Sequence, residues 1–144
     1  MNLTRDFRRG RDIPVFVPNL SYIIQQFPEM TAQRSPKEAF EAIVHATREV
    51  EDWCEIAVWE DGKLCGFAIT ADDYDAHVGT LLGVQWCMVF PWAPKGTMLK
   101  IHRECRALAK DANYRFMAYT KRLSQGRYEI NYIDLGEPSN GQES

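Results

Sequence analysis

Several features that would each fix a class of function are missing from this sequence. No apolar run approaches the roughly 20 residues that a helical span of a bilayer needs. The opening Met1-Asn2-Leu3-Thr4-Arg5-Asp6 has none of the apolar stretch of a secretory leader. The four cysteines, Cys54, Cys65, Cys87 and Cys105, contain no C-x-x-C pair. The three histidines, His45, His77 and His102, stand at no metal-ligand spacing to them, so no metal centre is expected. An excess of one charge is missing too. The net charge of −3 gives no global push toward nucleic acid or an anionic membrane. Internal repeats and low-complexity linkers are also lacking.

What is present describes one folded body. A chain of 144 residues fits a single domain with a real core. Aliphatic and aromatic residues are plentiful and charged residues ordinary in number, which excludes a disordered body. The domain is expected over 1–135, followed by a flexible tail over 136–144 of Gly, Pro, Ser and Asn composition. All four cysteines lie in apolar segments, the pattern of buried thiols in a reducing, cytoplasmic compartment. Arg5, Arg8, Arg9 and Arg11 could meet phosphate, but Asp6 and Asp12 are interspersed and the segment reads as solvated.

The element order follows from local chemistry. Val15, Phe16, Leu20, Ile23, Ile24 and Phe27 suit a helix over 14–27 with Pro18 in its first turn. Ser35-Pro36-Lys37-Glu38 reads as a capping box with Pro at the first helical position. Behind it Ala39, Phe40, Ile43, Val44, Thr47 and Val50 form one apolar stripe. Asp61-Gly62 tolerates the positive φ of a two-residue turn and predicts a hairpin of strands 54–60 and 63–70. Its register would set Trp59 opposite Leu64, Val58 opposite Cys65 and Cys54 opposite Ile69. A polar loop, 71–77, leads to a long apolar strand over 78–90, expected in mid-sheet. A helix over 95–112 would turn Met98, Ile101, Cys105, Leu108 and Ala112 inward and end near Asn113. Strands over 114–120 and 128–133 would flank a turn at Ser124-Gln125-Gly126, and any first strand would come from residues 3–7. The class is α/β in the α+β sense, with a mixed, mostly antiparallel sheet and helices on both faces.

This order resembles the GNAT superfamily of N-acetyltransferases, most of all in the strand, loop and helix of 84–112. The resemblance implies a fourth and a fifth strand that splay apart around acetyl-coenzyme A, with its pyrophosphate on the following helix N-terminus. The strand ending Val89-Phe90-Pro91 and the step Lys95-Gly96 are similar to the family's. Its Q/R-x-x-G-x-G/A signature keeps Gly96, whereas Ala93 and Met98 occupy the outer positions. The implied cofactor contacts are the backbone of Met88, Val89 and Phe90, then Lys95, Gly96 and Thr97.

Many members carry a tyrosine acid on a helix after the fifth strand, in an N-x-x-A-x-x-x-Y pattern. Here 118–128 has neither that pattern nor room for the helix. Tyr119 either reaches the cleft from its strand and protonates a leaving thiolate, or is an ordinary amphipathic strand residue. The long strand offers only Gln85 where a base would stand. Asp72, Asp73, Asp75 and His77 read as a pocket for a cationic amine, a metal site or, more simply, a solvated loop. His102 reads as a surface residue, and Trp92 as a ring that lines the cleft or plugs it. The implied activity is transfer of acetyl from acetyl-CoA to an amine on a small molecule or protein. The alternative is an inactive binding or assembly protein, similar to GNAT-like proteins of bacteriophages and then placed in host cytoplasm or virion.

Overall fold

The computed structural model describes residues 1–137. Most of the tail, from residue 138 on, lies outside the described residues. Six strands form one sheet in chain order: β1 (Asn2–Arg9), β2 (Asp52–Glu60), β3 (Lys63–Asp75), β4 (Gly79–Val89), β5 (Phe116–Ser124) and β6 (Arg127–Asp134). Three α-helices, α1 (Leu20–Gln26), α2 (Pro36–Glu49) and α3 (Thr97–Asp111), complete the fold. Every neighbouring pair of strands is antiparallel except β4 and β5. That parallel step requires a crossover, which α3 provides.

Local chemistry accounts for the element ends. The Ser35 hydroxyl accepts from the Glu38 amide while the Glu38 carboxylate accepts from the Ser35 amide, so the capping box forms as the sequence predicts. Pro18 sits in a short 3-10 turn, Val17–Asn19, and the helix proper begins only at Leu20. Asp61 and Gly62 take φ of 50° and 76° and close the β2–β3 hairpin. Trp59 faces Leu64 as expected. A bulge between Val58 and Trp59 then moves the register by one residue. Val58 consequently faces Gly66 rather than Cys65, and Cys54 faces Thr70 rather than Ile69.

The sheet is covered on both faces. On one, α1 and the chain before it bury Phe16, Leu20 and Ile23 against Phe67, Ile69 and Phe90. On the other, α3 sets Ile101, Cys105 and Leu108 on Ile56, Ala68 and Met117. Inside α3 the sequence expectation needs correction at both ends. Met98 is 42% exposed. Ala109 is buried where Ala112 had been expected, because Ala112 already lies beyond the last turn. Asn113, at φ 64°, stops the helix as foreseen.

The predicted loop at 71–77 is corrected as well. Residues through Asp75 extend β3, paired from Ala71–Gly83 to Asp75–Gly79. Their polarity reflects exposure beyond the helices rather than a lack of strand pairing. The Asp carboxylates accept from Tyr114 (Asp72, 2.7 Å), Gln85 (Asp73, 3.4 Å) and Tyr132 (Asp75, 2.6 Å).

Candidate active site

The parallel pairing of β4 and β5 is short. It covers Leu82–Met117, Gly83–Ala118 and Val84–Tyr119, and then stops. At that point β4 carries an extra residue. Ile69 pairs with Trp86 and Thr70 with Val84, which leaves Gln85 unpaired. A bulge bends and twists its strand, and here it turns β4 away from β5 just past Tyr119. The V-shaped gap expected from the sequence therefore exists, and its cause is Gln85.

The gap opens into a cavity of about 620 Å³. Val84, Gln85, Trp86 and Cys87 of β4 line one wall, and Tyr119, Thr120, Lys121 and Arg122 of β5 line the other. Met98, His102 and Cys105 of α3 close one face, and Phe27, Met30 and Tyr128 the opposite face. The cleft thus passes from one side of the sheet to the other. Its lining is sulfur-rich and aromatic, which suits an uncharged ligand segment.

Unpaired backbone donors face this gap. The Phe90 amide donates to Cys65 O at 2.9 Å, toward β3. Successive residues of a strand alternate the direction of their N–H and C=O groups. The amides of Cys87 and Val89 therefore point toward the missing β5 partner. They are ready donors for a carbonyl oxygen in the cleft.

The side chains have defined protonation states. Burial pushes the thiols of Cys87 and Cys105 up to about 12, so neither is a thiolate nucleophile at neutral pH. The Cys87 Sγ lies 3.7 Å from Met98 Sδ. All four cysteines are free thiols. The imidazole of His102 is half-buried, and burial first, then the charge of Arg106, holds its pKa below the ordinary value. Its ring meets that of Tyr119 edge-on, at 4.8 Å between centroids and 87° between planes.

The cleft is strapped at its far mouth. Glu29, in a 3-10 turn at Pro28–Thr31, accepts from Arg122 Nε and Nη2, both at 3.2 Å. It also accepts from the Gly126 amide and the Tyr128 hydroxyl. Arg122 foremost, then backbone and hydroxyl donors, lowers its pKa to about 2. Glu29 is therefore an anchored anion and a poor proton acceptor.

Placement of the sequence-predicted residues is mixed. Tyr119 lines the cleft at the apex of the V. Met88, Val89 and Phe90 follow the cavity-lining part of β4, and the Phe90 side chain is buried against α1. Gly96 precedes α3 in a left-handed conformation, φ 90°. Thr97 is buried, its hydroxyl donating to Pro94 O at 2.6 Å and its amide lying 3.2 Å from the same oxygen. Lys95 is exposed beside them. Gly96 borders a separate groove with Leu3, Lys100 and Arg103. Trp92 neither lines nor plugs the cleft. It stacks on Phe90 at 4.7 Å and donates to Leu64 O at 2.9 Å.

His102 is the principal residue that sequence reasoning misplaced. It follows Met98 by four positions and precedes Cys105 by three, the spacing of one helix face. That spacing is the signal the sequence holds. Arg122, Tyr128, Phe27 and Met30 carried no such signal, because chain folding alone brings them to the mouth.

No family model and no curated protein matches this sequence. Solved structures do. A GNAT family acetyltransferase from Brucella melitensis in complex with acetyl-CoA shares 18% identity, with 94% of this chain and 90% of that chain covered at a TM-score of 0.57. An N-acetyltransferase from Staphylococcus aureus Mu50 shares 12% identity over 94% of this chain and all (100%) of its own, at 0.57. An aminoglycoside N-acetyltransferase in complex with CoA shares 12% over 85% of this chain and 78% of its own, at 0.55. At these identities the likeness is one of architecture. Strand order, crossover helix and split sheet agree with it, and the chain has the GNAT fold.

Proposed function

We propose that this protein transfers an acetyl group from acetyl-CoA to an amine. The observation that carries the reading is the gap past the Val84–Tyr119 pair, which leaves the Cys87 amide of β4 unpaired on a cleft open on both faces, with the Val89 amide next along the same edge. The cleft fits an uncharged thioester arm entering from the α3 side, with the acceptor arriving past Phe27, Met30 and Tyr128. The amides of Cys87 and Val89 would bind the thioester oxygen, where negative charge develops as the amine attacks. A C–N bond forms, the C–S bond breaks, and the Tyr119 hydroxyl gives its proton to the departing sulfur. The phenolate recovers a proton from the acetylated nitrogen through water, so the products are an amide and a free thiol.

The pyrophosphate end falls to the start of α3. Thr97 uses its amide locally, but the first-turn amides of Met98 and Leu99 have no acceptor within the helix. With Gly96 placing no side chain before them and Lys95 adding charge, they would take the pyrophosphate between the cleft, which Met98 lines, and the separate groove, which Gly96 and Leu99 line. Among the described residues no carboxylate lines the cleft, and Glu29 is held ionised by Arg122. The amine must therefore arrive neutral or lose its proton to water.

That last observation also favours a second reading, a GNAT-fold binding protein without turnover. Thermal melting with millimolar acetyl-CoA, followed by assay of thiol release with a panel of amines, separates the two. Binding at 100 times Kd stabilises by about 2.7 kcal/mol, or roughly 5–10 °C in Tm for a chain of this size. A shift with thiol release supports the enzyme, and a shift without release supports the binder. The absence of a shift contradicts the enzyme and leaves an inactive binding or assembly protein.

A further inference from the structure

We infer that His102, with Tyr119, forms the wall on which the uncharged arm of a coenzyme A thioester packs, and that proton uptake by His102 opposes binding. The inference rests on the acetyl-CoA reading of the cleft and adds to it a binding residue and a pH response.

Three observations converge. First, His102 lines the cavity from α3 between Met98 and Cys105, and Cys87 lines the same cavity from β4. Second, its ring is fixed edge-on to Tyr119 at 4.8 Å, so the pair forms a continuous surface across the mouth of the V. Third, β5 passes to β6 through the tight turn at Gln125-Gly126, so no helix follows β5 to cover this side of it. From α3 the imidazole of His102 reaches the ring of Tyr119. A ligand arm in the gap must lie against these two rings.

The charge state matters because of what faces the imidazole. Arg106 stands one turn along α3, Lys121 projects from β5 into the same cavity, and Cys87 and Cys105 are protonated thiols. Among the described residues no carboxylate lines the cavity to stabilise an imidazolium. Filling the cleft with an apolar arm would remove the remaining water from the ring, which favours the neutral form further. By linkage, binding must then weaken as pH falls through the His102 pKa of the free protein.

Calorimetric titration with acetyl-CoA between pH 5.0 and 7.5 tests this on wild type, His102→Phe and His102→Ala. Phe keeps an aromatic wall but cannot titrate, whereas Ala removes the wall. The expected result is that wild type loses affinity toward pH 5 more steeply than H102F, while the two agree within about threefold at pH 7.5. H102A should bind roughly tenfold more weakly at pH 7.5. Titration of the ligand's own phosphates is common to all three proteins and cancels in the comparison. Equal pH slopes for wild type and H102F would overturn the proton-linked role. Unchanged affinity in H102A would overturn the wall. If wild type does not bind at pH 7.5, the underlying acetyl-CoA reading has failed, which is a separate result.

Discussion

Tyr119 occupies the one position of β5 that is both the last parallel partner of β4 and a wall of the cleft. Its hydroxyl has a chemical role in the proposed reaction, while its ring has a packing role against His102. Tyr119→Phe separates these: acetyl-CoA affinity should be unchanged and turnover should fall about 100-fold or more, the usual worth of a positioned acid. Equal turnover in the variant, measured by thiol release, would return Tyr119 to an ordinary strand residue. The sequence could offer both readings of Tyr119 but not choose, because the choice depends on where β4 leaves β5. That point is set by Gln85, whose bulge has no local signature.

Glu55 is a second residue with a defined consequence. It is 1% exposed within β2, accepts from the Val15 amide at 2.6 Å, and meets Arg8 Nε at 3.3 Å. Burial raises its pKa, opposed less strongly by the Val15 amide and Arg8. The folded protein therefore holds this proton to higher pH than the unfolded chain does. Stability from this group falls as pH rises from the unfolded value, about 4.5, through the folded one. Glu55→Gln should remove that fall. Urea denaturation at pH 4.5 and 7.5 should show the variant gaining stability relative to wild type at the higher pH. A relative loss at pH 7.5 would show that the Arg8 contact outweighs burial.

At the scale of elements, the position of α3 decides whether the cleft can form. Its first turn approaches β3 at Gly66, where an added Cβ would come within 2.9 Å of Ile101 Cδ1, 3.0 Å of Met88 O and 3.2 Å of Thr97 Cγ2. Gly66→Val should therefore push the start of α3 outward, at a cost of about 1–3 kcal/mol. It should also weaken acetyl-CoA binding without touching the ligand. Unaltered melting temperature and affinity would mean that this contact yields freely. The strap of Glu29 and Arg122 acts at the opposite mouth. Because its carboxylate pKa is depressed, its contribution is complete above the unfolded value and is lost only as pH falls toward about 2. The strap should hold across the neutral range.

These elements differ in how far they could be read in advance. The capping box at Ser35 and the turn at Asp61-Gly62 are complete in a few adjacent residues, and both formed as read. The hairpin register failed beyond Trp59 because a bulge is a property of two paired strands. The run at Asp72, Asp73 and Asp75 reads locally as loop because its pairing partner lies in β4, several residues on.

For the molecule as a whole, the groove beside the start of α3 and the far mouth of the cleft carry different chemistry. Lys95, Lys100 and Arg103 stand near the start of α3, whereas the far mouth has aromatic walls and a neutralised ion pair. That arrangement suits a polyanionic acyl donor from one side and an acceptor from the other. No helix among the described residues is long and apolar enough to cross a membrane. Element order made the fold legible without any matching family model, since GNAT topology is written in its hairpin, long strand and crossover helix. The signature loop was less informative, because Ala93 and Met98 break its pattern while the backbone geometry of the cleft persists.

The central claim is that acetyl-CoA occupies the gap between β4 and β5. Titration of acetyl-CoA into ¹⁵N-labelled protein, followed by backbone amide shifts, tests it residue by residue. Saturating shifts should concentrate at Cys87, Val89, Met98, Leu99 and Tyr119, and leave α2 unmoved. Shifts absent at millimolar ligand, or confined to residues away from the gap, would contradict the account.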